Sequence, residues 1–279
     1  MNITTERIIK HFPQSYSTSA PSYDSAFFDS LVRDYCEQNA SQFNKTDPRC
    51  AKCIIVGEPS VGKTCLINRF AHDTFESEHK ATIGVDFAVI KFKILETLFQ
   101  LQIWDTAGQD RFQSIAMNYY KNATAAIIVF DMSRIATLSS CRSWAEKVTG
   151  ANRDGQLKIF LVGTKADSLS PPAREFVEKE AIEIAQQLSV EFWAVSSQTG
   201  ENVDNLFNRV TCLCFEDIIS ATIKRKEEEK RTKSVQYHEN FVRLPQYPAI
   251  LSKKSFKSKC KGKLLCCSCW PKIISKKWF

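Results

Sequence analysis

The residues from Gly57 to Thr64 read Gly-Glu-Pro-Ser-Val-Gly-Lys-Thr, the pattern G-x-x-x-x-G-K-[ST]. Ahead of it, Cys53-Ile54-Ile55-Val56 is a short apolar, β-branched run that reads as a buried strand. Behind it, Cys65-Leu66-Ile67-Asn68-Arg69-Phe70 has helical character. Strand, loop and helix in that order are the setting of a phosphate-binding loop, whose backbone N–H groups turn inward around phosphate oxygens. The positive end of the helix adds to the same field. In this geometry Gly57, Ser60, Val61, Gly62, Lys63, Thr64 and Cys65 surround the phosphates. Lys63 reaches the β- and γ-phosphates, and Thr64 offers its hydroxyl to Mg²⁺. Four fixed positions also arise by chance, so the weight rests on the flanking strand and helix and on the rest of the chain.

That rest repeats the same alternation. Strand-like runs fall at Cys53–Val56, Val85–Leu95, Leu98–Trp104, Ala125–Phe130, Leu157–Val162 and Glu191–Val195. Helical stretches fall at Lys63–Ala71, Gln113–Lys121, Leu138–Thr149, Ala173–Leu188 and Val203–Phe215. Apolar strands alternating with helices argue for a mostly parallel sheet covered on both faces. Only Glu96-Thr97 separates the second and third strands, so those two form an antiparallel hairpin. The expected fold is α/β, a six-stranded mixed sheet with five strands parallel and one antiparallel. It occupies residues 50–220. Residues 1–49, rich in Ser, Thr, Tyr and Asn, are expected to be largely disordered, with short helices at Glu6–Phe12 and Phe27–Glu37. In the second of these, Phe27, Leu31 and Tyr35 share one face. The last helix is expected to run on into a charged end, Lys224–Lys233, and residues 221–279 to form a basic tail.

Across 279 residues, 43% are apolar, enough for a real core, and no run approaches the ~18 consecutive apolar residues of a membrane span. Met1 to Lys10 lacks an apolar stretch of signal-peptide length, so the reading expects a cytosolic chain whose 11 cysteines are mostly reduced thiols. Cys50 and Cys53 form a C-x-x-C with no second ligand pair at metal spacing, which argues against zinc. The formal charge of +7 is uneven: nine lysines and no acid lie from Lys253 onward, leaving 29 basic against 31 acidic residues elsewhere, or −2. Such a tail suits an anionic membrane leaflet. A solvated tail without a partner, or one bound for the nucleus or RNA, has the same composition.

Trp104-Asp105-Thr106-Ala107-Gly108-Gln109 ends the third strand, 42 residues after Lys63 at Asp105. A carboxylate there faces the phosphate loop and binds Mg²⁺ through water. The Gly108 N–H approaches a γ-phosphate unobstructed, and Gln109, donor and acceptor at once, orients an attacking water. Base choice falls to Gly163-Thr164-Lys165-Ala166-Asp167. Asp167 accepts two hydrogen bonds from guanine N1–H and its 2-amino group; adenine offers neither. A carboxylate left unpaired in a buried site costs about 3–5 kcal/mol, hence guanine. The Lys165 stem lies over one face of the base, and Phe75 covers another side. Ser196, Ser197 and Gln198 close over it with backbone N–H groups for guanine O6.

The set resembles the Ras superfamily and, within it, the Rab small GTPases, over about residues 50–215. Beyond the nucleotide motifs, the resemblance rests on Ile83-Gly84-Val85-Asp86-Phe87, Leu101-Gln102-Ile103-Trp104, Arg111-Phe112-Gln113-Ser114-Ile115, Tyr119-Tyr120-Lys121-Asn122-Ala123 and Ile128-Val129-Phe130-Asp131. It implies a GTP/GDP switch with Mg²⁺, slow GTP hydrolysis with Gln109 and Lys63 as catalytic groups, and Thr64, Thr82 and Asp105 around the metal. Thr82, 19 residues after Lys63, takes that role only through the resemblance. Ile83, Phe87, Trp104 and Tyr119 would meet effectors. Exchange factors, activating proteins and prenyl-protein chaperones are the implied partners. The implied molecule is a monomer in vesicle trafficking that binds no nucleic acid. A scaffold gated by nucleotide but with negligible turnover is the alternative. Met1-Asn2-Ile3 and Phe12-Pro13-Gln14 are similar to the start of the atypical branch with long N-termini, which implies Golgi, endolysosomal or ciliary membranes.

The chain departs from the pattern at four site positions. Thr164 stands where the family has Asn, as a small hydroxyl residue does in the atypical branch. Gln198 replaces the usual Lys over the base, and Asp110 the Glu after Gln109. Pro59 fixes φ and removes an N–H within the phosphate loop. The family's terminal cysteine pair corresponds to Cys266 and Cys267, but ten residues follow Cys269. Lipidation at Cys266 and Cys267 beside the lysine cluster is the implied anchor, palmitoylation being the alternative to prenylation.

Overall fold

Ala125–Phe130 is apolar on every side, and Ala125–Asp131 is buried throughout, as is most of Arg49–Gly57. Strands of that kind are covered on both faces and sit at the centre of a sheet. In the computed structural model, which describes residues 6–23, 27–43, 49–76, 82, 84–106, 118–152 and 157–242, they are neighbours. The described strands are β1 (Arg7–Ile9), β2 (Arg49–Gly57), β3 (Val85–Ile94), β4 (Thr97–Thr106), β5 (Ala125–Asp131), β6 (Lys158–Thr164) and β7 (Glu191–Ala194). Their order is β1-β3-β4-β2-β5-β6-β7. Strands β2, β4, β5, β6 and β7 run parallel, while β3 pairs antiparallel with β4 and parallel with β1.

The longer described helices are α1 (Ser30–Phe43), α2 (Lys63–His72), α3 (Cys141–Ala151), α4 (Pro171–Leu188) and α5 (Val203–Val242), and a short helical turn, Ala136–Ser139, precedes α3. Alternate residues of the central strands divide two cores. Cys53 and Ile55 face α1, α2 and α5. Ile54 and Val56 face α3 and α4. The hairpin turn falls at Leu95 and Glu96, both left-handed at φ 46° and 59°, the primed geometry that suits twisted strands. Two units divide at Thr232. The fold and site belong to the first, Met1–Thr232; of the second, Lys233–Phe279, the described part is the continuation of α5.

The described residues of the N-terminal extension, 6–23 and 27–43, depart from expectation: Glu6–Phe12 holds the strand Arg7–Ile9 instead of a helix, so the sheet has seven described strands where six were expected. Strand β1 completes the backbone pairing of β3 through Arg7↔Phe92, Ile8↔Lys93 and Ile9↔Ile94. From there the chain crosses to the opposite edge of the sheet. The Tyr23 hydroxyl accepts from the Ile159 N–H at 2.7 Å and lies 3.2 Å from its carbonyl. Those groups sit ahead of the point where β7 begins pairing, at Phe160↔Glu191. Helix α1 is capped by Asp29, whose carboxylate accepts from the Leu31 N–H at 2.7 Å. Its inward face also differs from expectation. Phe28, Val32 and Cys36 are buried, whereas Phe27 is 77% and Leu31 67% exposed. The amphipathic period is right and its phase is shifted by one residue, because Phe28 has an aromatic seat against Phe12 and Phe215. As expected, helix α5 runs on through Lys224–Lys233, and on it Thr222 is buried and accepts a 2.7 Å hydrogen bond from Arg49.

Candidate functional site

The connections from β2 and β5 leave in opposite directions along the sheet, so a crevice opens beyond their carboxyl ends. The phosphate loop lies there. Gly57, at φ 145°, leaves no room for a side chain: a Cβ would stand 2.2 Å from the Val129 carbonyl oxygen. Gly62, at φ 96°, heads α2 in a left-handed conformation, and Ser60 shares that conformation at φ 62°. Together they bend the backbone into a loop at the positive end of α2.

Lys63 is buried, and its ammonium donates to the carbonyls of Gly57 (2.9 Å) and Glu58 (2.8 Å). Burial lowers its pKa to about 8, against Asp105 and Glu58, which push it up. The Thr64 hydroxyl lies 2.6 Å from Asp105 Oδ2 and 2.9 Å from the Thr82 hydroxyl. Thr82 lies 3.4 Å from the same carboxylate oxygen. Asp105 Oδ1 is buried and has no hydrogen-bond partner among the described residues. Burial raises its pKa; hydrogen bonds from Thr64 and Thr82 and the charge on Lys63 oppose the rise. Two hydroxyls converging on a carboxylate with a spare buried oxygen form a hard, all-oxygen donor set, which fits Mg²⁺.

Thr164, at the end of β6, contacts the phosphate loop directly. Its hydroxyl oxygen lies 2.5 Å from the Val61 carbonyl and 3.0 Å from the Phe130 carbonyl. Its one proton serves one of them at a time. A Cβ on Gly62 would lie 3.6 Å from that oxygen. Thr164 thus bridges the base segment and the phosphate loop with a short side chain. Lys165 is left-handed at φ 59° and reaches the Ser60 carbonyl (3.3 Å) and the buried carboxylate of Asp131 (2.6 Å). Burial raises the Asp131 pKa, but hydrogen bonds from Lys165, Ser133 and Arg134 outweigh it and hold the carboxyl below its usual range. Asp167 faces solvent and accepts a short hydrogen bond from the Ser196 hydroxyl. Ser196 also receives the Thr199 N–H at 3.1 Å, which folds the base loop. Phe75 lies just past α2 and is 38% exposed, and Cys65 lies in the first turn of α2.

Sequence reading missed Arg69. Its Nε donates to the Ser197 carbonyl (2.6 Å) and its Nη2 to the Gln198 carbonyl (2.9 Å). It fastens the helix of the phosphate loop to the base loop. The partners lie 128 and 129 residues away, and no local pattern marks such a contact.

Three aromatic rings, from β3, β4 and the helical residues 118–120, form a run. Phe87 stacks on Trp104 at 5.8 Å, and Trp104 meets Tyr119 at 5.9 Å. Phe87 and Trp104 are cross-strand partners, and Lys52 lies over the Trp104 ring at 4.5 Å. Gly108, Gln109, Ile83, Cys266 and Cys267 lie outside the described residues, as does most of the helix expected at Gln113–Lys121.

The model of the Ras family matches residues 52–216. Ras-related protein Rab-34 from Mus musculus and that from Homo sapiens are each 40% identical over 223 residues, covering 80% of this chain and 85% of the relative. Ras-related protein Rab-36 from Mus musculus is 40% identical over 224 residues, covering 80% of this chain and 83% of its own length. These alignments are longer than the family match, so the likeness extends beyond the common domain. The chain therefore belongs to the Ras family and is a Rab-type small GTPase of the atypical branch that holds Rab-34 and Rab-36.

Proposed function

We propose that this GTP-hydrolysing switch of membrane trafficking holds its nucleotide across the ends of β2, β5 and β6, using the residues assembled above. The observation that carries the reading is the meeting of Thr64, Thr82 and Asp105 beside Lys63. Thr64 and Asp105 sit on fixed elements, whereas Thr82 comes from the connection between α2 and β3. A hydroxyl from a connecting segment joins this cluster only in one arrangement of that segment. Such a contact supports an order–disorder response to the γ-phosphate.

Thr64, Thr82 and Asp105 would hold Mg²⁺, and the ion would neutralise charge on the phosphates. Lys63 stabilises the same charge, and the lowering of its pKa by burial marks how far the site is desolvated. The loop glycines admit the phosphates to within reach of backbone N–H groups. Gln109 orients the attacking water, and a partner supplies any arginine finger. Asp167 reads guanine, positioned by Ser196. Phe87, Trp104 and Tyr119, with Ile83, are the effector surface, since clustered aromatics make strong hot spots. Exchange factors, activating proteins and prenyl-protein chaperones complete the cycle. Among the described residues no helix is long and apolar enough to cross a membrane. Peripheral attachment through Cys266, Cys267 and the lysine-rich end to the cytosolic face of Golgi, endolysosomal or ciliary membranes fits that composition.

The base assignment is tested by Asp167→Asn, which should weaken GTP binding and favour XTP, whose 2-oxo group needs a donor. Unchanged affinities for both nucleotides would remove Asp167 from the site. Gln109→Leu should slow single-turnover hydrolysis while leaving GTP affinity intact.

A further inference from the structure

None of the groups assigned to the nucleotide lies ahead of β2, yet Arg7 grips two elements that position them. It stands on β1, the edge strand contributed by the N-terminal extension. Its Nη2 donates to the Phe70 carbonyl at 2.5 Å, and its guanidinium lies 4.2 Å from the centre of the Phe70 ring. Phe70 is in the last turn of α2, where carbonyls have no partner within the helix. A cation there both satisfies the carbonyl and opposes the negative end of the helix. The other arm, Nη1, donates to Asp204 at 2.7 Å in the first turn of α5. The Asp204 carboxylate is 68% exposed, so that ion pair contributes little and the Phe70 contacts carry most of the grip.

One guanidinium therefore joins the end of α2 to the start of α5. Between these two ends lies the base loop. Arg69, next to Phe70 in the chain, donates to the Ser197 and Gln198 carbonyls. Ser196 in turn donates to Asp167. Phe70 also stacks on Phe207 of α5 at 4.2 Å, so the two helices meet as one body under the loop. On the reading that Asp167 and the Ser196–Gln198 loop bind guanine, we infer that Arg7 is a positioning residue for the base. The N-terminal extension, through Arg7, sets how long the nucleotide stays.

The test uses the full chain loaded with fluorescent GDP or fluorescent IDP in the presence of Mg²⁺, chased with unlabelled nucleotide. Inosine lacks the 2-amino group that Asp167 accepts, so the ratio of IDP to GDP dissociation rates reports the position of Asp167 and its loop. Arg7→Ala should speed GDP release about five- to tenfold, the net scale of losing one ordinary hydrogen bond, since Arg7 acts on the base through α2 and not directly, and should shrink that ratio. Arg7→Lys, which keeps the charge but loses the planar stack, should fall between Arg7→Ala and the unaltered chain. Where Arg7→Ala fails to fold, Arg7→Lys carries the same measurement. Tyr23→Phe is the control. It breaks a different anchor of the extension, the 2.7 Å bond from the Ile159 N–H near the start of β6, at the end of that strand away from the base loop. It should lower the melting temperature without altering either dissociation rate. GDP release within about twofold of the unaltered chain in both Arg7 variants, or acceleration of GDP and IDP by the same factor, would overturn the inference. If the unaltered chain retains no GDP at all, the nucleotide reading itself fails; retention that is indifferent to Arg7 defeats the inference alone.

Discussion

Arg209→Met should loosen the N-terminal extension from the domain, and the size of the effect follows from what the guanidinium holds. Arg209 on α5 and Glu191 on β7 have side chains only 2% and 1% exposed. Arg209 Nη2 donates to Glu191 Oε1 at 2.7 Å and to the Tyr23 carbonyl at 2.9 Å, and Nη1 donates to the Pro13 carbonyl at 3.0 Å. Glu191 in turn accepts from the Tyr23 N–H at 2.9 Å. The pair is a clamp that reads the backbone of the extension at two points ten residues apart in the chain. Methionine keeps most of the volume but leaves a buried carboxylate without its cation and two carbonyls without this donor. Removing one partner of a buried pair costs about 3–5 kcal/mol. In a domain of this size 1 kcal/mol shifts the melting temperature by about 2–4 °C, so the GDP-loaded variant should melt roughly 6–20 °C lower. Circular dichroism on heating measures the shift, and limited proteolysis between Phe12 and Tyr23 measures the loosening. The double variant Arg209→Met/Glu191→Leu should lose about 1–3 kcal/mol less than the two single losses added together, because the orphaned charge is gone. A single variant melting within about 2 °C of the parent, or strict additivity in the double, would refute the clamp.

The phase of α1 is testable by truncation. Phe28→Ala should cost about 3–5 kcal/mol by emptying a packed aromatic site, whereas the exposed neighbour Phe27→Ala should change stability by less than about 0.5 kcal/mol. Lys63 sets a pH dependence. Burial lowers its pKa in the folded chain to about 8, so above that value the unfolded chain binds more protons than the folded one. The penalty is therefore complete below about pH 8 and is relieved as pH rises toward the ordinary lysine range, raising nucleotide-free stability. Bound phosphate favours the charged amine, so calorimetry at about pH 9 should detect proton uptake on GDP binding that is absent at about pH 6.5. Changing both Cys266 and Cys267 to Ser should release the protein from membranes, since a basic patch alone binds weakly and is screened by salt. Full retention after a high-salt wash would place the anchor elsewhere.

The parts of this protein legible in its sequence are those where chemistry is local. A phosphate loop needs glycines at fixed offsets because only they tolerate φ 145° against the Val129 carbonyl and φ 96° at the head of α2. Central strands need unbroken apolar runs because both faces are covered, which made β2 and β5 readable. The extension was misread for the complementary reason. Its segment Arg7–Ile9 is too short to declare a strand by periodicity, and it pairs only because the edge of β3 is there to receive it. Composition rich in Ser, Thr and Tyr suggested disorder, yet Phe12, Phe28 and Tyr23 find seats on α5 and β6, more than 130 residues away. The face of α1 was undetermined for a similar reason: Phe27 and Phe28 are equally apolar, and only the position of Phe215 decides which turns inward. Arg69, Arg7 and the Arg209–Glu191 clamp belong to the same class. Each is an unremarkable charged residue in the sequence and acquires its role from carbonyls that the tertiary fold brings within 3 Å. Sequence determined where the glycine-rich loop forms. Tertiary structure decided what holds the base loop in place, because hydrogen bonds to main-chain carbonyls depend on where a backbone runs and not on which side chain it carries.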